Sequence, residues 1–143
     1  MNDPKRVLVE RAVAAATKAR PILEARAKAL AALVAPTDAA LAAARKWMAD
    51  GDVTAPATAS AAAAPAIERA WLRWDESAEL TRDLVALKRA THAAEAAMLA
   101  ARAAAWTPER SIGTGRDDAE GAVGPLWEAT EAERCAAMAL GTA

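Results

Sequence analysis

Close to one residue in three of this chain is alanine, 46 of 143, and neither Phe nor Tyr occurs. Alanine is the strongest helix former, and the Arg, Lys, Glu and Leu that accompany it rank close behind. No run alternates Val, Ile, Thr or aromatic residues with polar ones, so no strand is expected and the fold class is all-α. The same feature limits cohesion. A buried methyl-sized group contributes about 0.8 kcal/mol, and Leu, Ile and Val together number only 22. Faces of this kind make a thin core, and self-association is one way to bury more surface.

So few large aliphatics would suit a disordered chain if the net charge were high, but 18 basic against 19 acidic residues leave −1. The charge is unevenly spread, +5 over residues 1–46, −2 over 47–110 and −4 over 111–143. A basic first third and an acidic tail can attract one another between subunits.

Periodicity divides the chain. Asp3 before Pro4 is a carboxylate N-cap followed by a proline whose missing N–H costs nothing there. Val9, Val13, Ala16, Arg20, Leu23, Ala27, Leu30 and Val34 then share one stripe that keeps phase across Pro21. This predicts a kinked helix over 4–35, ended by Pro36. Thr37 caps a short helix over 38–49, closed by Asp50-Gly51-Asp52 with the glycine in a left-handed stop, so residues 1–50 read as a helical hairpin. The Ala/Thr/Pro stretch 51–64 has no apolar period and reads as a linker.

Pro65 opens a long helix over 65–107, stopped by Pro108. Its stripe runs Ile67, Trp71, Trp74, Ala78, then Leu80, Leu84, Leu87, Thr91, Ala94, Met98, Ala101 and Ala105 at alternating spacings of four and three. That is a coiled-coil-like seam, and its phase change near Ser77 resembles a stutter. A Gly-rich loop over 108–124 precedes a short helix and tail over 125–143, with Leu126, Trp127, Thr130, Arg134 and Met138 as the inner face. The architecture expected is an elongated helical bundle with coiled-coil-like packing of two long helices and an irregular C-terminal segment.

The chemical inventory is small. His92 and Cys135 are the only histidine and cysteine. A lone cysteine excludes an internal disulfide and fits a reducing compartment. His92 stands three residues before Glu95, the reverse of the Glu-x-x-His order of carboxylate-bridged metal bundles, and reads as an exposed helix histidine. No zinc set of the usual composition is expected within one subunit. Glu76, Glu79 and Asp83 share a face but have Arg69, Arg73 and Arg82 within neutralising reach. Gly113-Thr114-Gly115 lacks the strand and the third glycine of a dinucleotide loop. With three serines and no tyrosine, no nucleophile, base and orienting group can be named. No catalytic, cofactor or metal residues are expected.

The tryptophans carry the sharpest signal, because Trp supplies bulk that methyls cannot and is enriched at interface hot spots. Interface residues expected are Trp71, Trp74, Leu80, Leu84, Leu87 and Met98, with Leu23 and Leu30 from the first helix. The function expected is non-catalytic: a structural or adaptor protein that self-associates, as a homo-oligomer or with other assembly proteins. Arg exceeds Lys 13 to 5, a pattern of GC-rich coding that points to a bacterial source or a bacteriophage particle. The alternative is a nucleic-acid-associated protein using Lys5, Arg6, Arg11, Lys18, Arg20, Arg26 and Lys28, although a pI near 5.9 argues against a concentrated footprint. A small ligand-binding bundle or enzyme comes third. No 18-residue apolar run or secretory leader is seen, so the cytoplasm, or a particle assembled there, is the expected location.

Overall fold

The computed structural model describes residues 3–76, 82–108 and 124–142. Among them are five helices and no strand: α1 Pro4–Glu24, α2 Ala31–Asp50, α3 Thr54–Asp75, α4 Arg82–Ala105 and α5 Gly124–Leu140. Seam position Leu80, the acidic residue Glu79 and the Gly-rich stretch 109–123 lie outside the described residues.

Asp3 caps α1 as its position predicts, accepting a hydrogen bond from the Lys5 backbone N–H at 3.0 Å. The kinked helix expected over 4–35 is two helices, and the break comes after Pro21 rather than at it. Pro21 sits in the last turn of α1, where its missing N–H removes one bond and little helix remains to be disturbed. Residues 25–30 then form turns, with Arg26 N–H donating to the Leu23 carbonyl at 2.9 Å and Ala27 N–H to Glu24 at 3.1 Å. Pro36 does not end a helix. It falls inside α2, close to its start, and Thr37 is a buried helical residue rather than a cap.

The 51–64 stretch is not a linker either. Gly51 takes the left-handed conformation at φ 77° and its N–H donates to Trp47, closing α2. Asp52 Oδ1 accepts the Thr54 N–H at 2.9 Å, and α3 begins there. Pro56 lies in the first turn, where an N–H has no helical partner to lose. Alanine's intrinsic preference suffices for helix once the neighbours cover one side, and Pro56, Ser60 and Ala63 form that side.

The 65–107 rod is a hairpin. Trp74 Nε1 donates to Thr91 Oγ1 at 2.8 Å, whereas residues that far apart on one continuous helix would be separated by about 25 Å. The ring of Trp71 meets that of His92 with centroids 4.6 Å apart. The apolar sides of α3 and α4 therefore face each other within one chain.

Helix α4 is the centre. It packs against all four others, while α3 otherwise meets α2 and α5 otherwise meets α1. Arg20 bonded to Asp38, and Arg45 to Thr17, set α2 antiparallel to α1. Lys5 Nζ donates to the Trp106 carbonyl at 2.6 Å, tying the start of α1 to the end of α4. A helix enclosed this way must be apolar on every side and slender. Accordingly Ala90, Ala93, Ala94, Ala96, Ala97, Ala100, Ala101, Ala103 and Ala104 are all buried. Here alanine is a packing requirement: it lets neighbouring axes close in around a single helix.

Candidate functional site

From Ala90 to Ala105, every residue of α4 is buried except His92, Glu95 and Arg102. Their spacings of three and seven place them on one stripe. The helices around α4 run in the order α3, α2, α1, α5, and α3 and α5 form no packed pair. The stripe faces the side of α4 between α3 and α5, where its side chains stay partly exposed.

One turn of α4 holds His92 and Glu95, with Nδ1 and Oε1 3.0 Å apart and side chains 17% and 24% exposed. His92 Nδ1 is itself buried and makes no hydrogen bond. An imidazole nitrogen and a carboxylate oxygen this close call for a positive centre, either a proton on the ring or a cation between them. Trp71 of α3 covers one side of the ring, tilted 60° to it. Cys135 arrives from α5, buried among alanines. One donor atom from each of His92, Glu95 and Cys135 lies within 4.8 Å of the other two.

A tetrahedral ion of the zinc class, with bonds of about 2.0–2.3 Å, sets its donor atoms roughly 3.3–3.8 Å apart. The N, O and S donor set is that of a borderline first-row metal rather than of calcium or magnesium. Three protein donors leave a fourth position for water or a small ligand.

Burial pushes the Cys135 thiol up to about 12, the neighbouring Glu95 and Glu131 carboxylates add to this, and Arg134 opposes it. Cys135 is thus a protonated, inaccessible thiol and no nucleophile, since nucleophilic cysteines sit in exposed, electropositive surroundings. Arg134 is engaged by Glu131 at 2.8 Å and by the sulfur of Met138 at 3.1 Å.

His92 is therefore not the exposed helix residue its sequence context suggests. Its partner on α5 was hidden because the inner face of α5 was assigned to Leu126, Trp127, Thr130, Arg134 and Met138. The face that packs inward is Ala129, Ala132, Cys135, Ala136 and Ala139, while Leu126 is 48% exposed. Close approach to a slender α4 demands small residues, so bulk is a misleading guide to direction here. The available signal was that Cys135 shares a helical face with four alanines.

The residues expected to anchor an interface between chains lie elsewhere in the same fold. Leu23, Leu30, Trp74, Leu84 and Met98 are buried in the chain's own core, and Trp71 and Leu87 pack against it partly exposed. A seam between copies built on these side chains would require the bundle to open. The arginines of α1 are engaged internally as well: Arg6 with Glu10, Arg20 with Glu24 and Asp38, and Arg11 with Glu133. The last of these joins the basic first third to the acidic tail within one chain.

No described helix is long and apolar enough to cross a membrane. No protein family, curated protein or solved structure matches the chain.

Proposed function

We propose that the protein is a non-catalytic helical bundle that binds one divalent transition-metal ion of the zinc class between His92, Glu95 and Cys135. The observation that carries this reading is the convergence of the chain's only histidine and only cysteine, from separate helices, beside a carboxylate on the one partly exposed stripe of the Ala90–Ala105 stretch of α4. Two of the donors are fixed by helical spacing, since i and i+3 share a face. The third is delivered by the packing of α5 on α4.

Cobalt(II) makes this testable, because thiolate ligation to cobalt gives an intense near-ultraviolet charge-transfer band. Chelator-treated protein titrated with cobalt should develop that band to an end point of one ion per chain, and excess zinc should abolish it. Cys135→Ala should show no band. Retention of zinc by equilibrium dialysis should fall at least tenfold in His92→Ala. Absence of the band, or equal zinc retention by the wild type and both variants, would refute the reading.

A further inference from the structure

Resting on that metal reading, we infer that the ion acts as a clasp controlling how firmly α5 is docked, so that α5 is a metal-responsive helix. Three observations lead there. The first is the composition of the docking face. The fully buried residues of α5 are Ala129, Ala132, Ala136 and Ala139 with Cys135, and its one aromatic side chain, Trp127, packs against the core only partly buried. Helix α1, which packs on the same α4, inserts Val9, Val13 and Leu23.

The second is connectivity. Helices α1 to α4 contact one another in a closed succession, α1 on α2, α2 on α3, α3 on α4 and α4 on α1, whereas α5 lies outside that circuit against α4 and α1. Removing α5 would leave the circuit whole. The third is the division of ligands. His92 and Glu95 both belong to α4 and Cys135 to α5, so coordination adds a bond across the α4–α5 contact and across no other. One polar tie between α5 and α1, Arg11 with Glu133, is made by side chains 41% and 42% exposed, where water and salt weaken it.

Metal that binds only the docked arrangement lowers the undocked population by the factor 1 + [M]/Kd. At free zinc one hundred times Kd this is about a hundredfold. Hydrogen exchange of the full-length protein, with chelator and then with zinc, reads it directly. Backbone amides of α5 should slow by about a hundredfold on zinc addition, those of α2 should change less than threefold, and Cys135→Ala should show no zinc effect. Equal slowing in α2 and α5, or no slowing in either while dialysis shows zinc bound, would overturn the clasp and leave the metal site standing. Failure to bind zinc at all would overturn both.

Discussion

Helices α1 and α5 lie side by side on α4, and the contrast between them shows what alanine does in different settings. Helix α1 reaches the core with Val9 and Leu23, both fully buried. It is tied further by the ammonium of Lys5, which sits 4.3 Å above the Trp47 ring and donates to the Trp106 carbonyl. Burial holds the Lys5 pKa below its ordinary value, with Asp3 partly offsetting it. Helix α5 buries only methyls and one thiol fully, with Trp127 packed partly exposed beside them. In α4 alanine permits neighbours on every side, and its many shallow contacts add up around the helix. In α5 only one face is covered, so the same residue limits what docking can contribute.

The largest effect that would test this contrast is truncation in α1. Leu23→Ala removes a fully buried side chain and should cost about 2–5 kcal/mol in urea unfolding. Ala136→Gly on the α5 face should cost only about 1 kcal/mol, chiefly through helix propensity. If the alanine change in α5 proved as costly as the leucine change in α1, the two helices would be held equally and the contrast would fail.

Next in size is an alkaline effect confined to α5. The Cys135 thiol is pushed up to about 12 in the folded protein, against about 8.5 in an unfolded chain. Above pH 8.5 the unfolded state gives up this proton and the folded state keeps it. The contribution is therefore intact below pH 8.5 and is lost as pH rises toward 12, at up to about 1.4 kcal/mol per pH unit and on the order of a few kcal/mol in all. In chelator, wild-type stability should fall across this window by that much more than Cys135→Ala. Parallel curves would mean that the thiol is hydrated and that α5 already stands away from α4.

How far the sequence discloses this arrangement depends on what alanine hides. Asp3 and Gly51 were legible because each depends on local chemistry, whereas Trp74, expected at an interface between chains, is buried in the chain's own core. The helix over 54–64 was not, since a run of Ala and Thr has no apolar rhythm to mark a buried face, even though it has every propensity to be helical. The α3–α4 hairpin was read as a rod because both arms carry a seam of the same period. Only the contact of Trp71 with His92 and of Trp74 with Thr91 shows that the two seams face each other. The pairing of His92 with Cys135 lies further from view, being set by the order of helices around α4 rather than by any local pattern.

The smallest expected effect concerns how α1 is held on its other side. Arg20 grips Asp38 of α2 through Nε at 2.7 Å and Nη2 at 3.1 Å. This hydrogen bonding lowers the Asp38 pKa from its ordinary value, with burial opposing and the Arg20 charge assisting. A depressed folded pKa means that the pair stabilises fully above the unfolded value of about 3.9 and ceases to do so as pH falls through the folded one. The Asp38 side chain is 52% exposed, so solvent screening restricts the contribution to roughly 0.2–1 kcal/mol. Asp38→Asn should therefore be less stable than wild type by that amount at neutral pH and low salt, and the two should converge toward pH 2 and in high salt. A loss well above 1 kcal/mol that survives in salt would show that charge, rather than Val9, Val13 and Leu23, keeps α1 in place. The firmness of α1 relative to α5 would then have to be traced to ion pairing instead of to the size of the side chains that each helix buries.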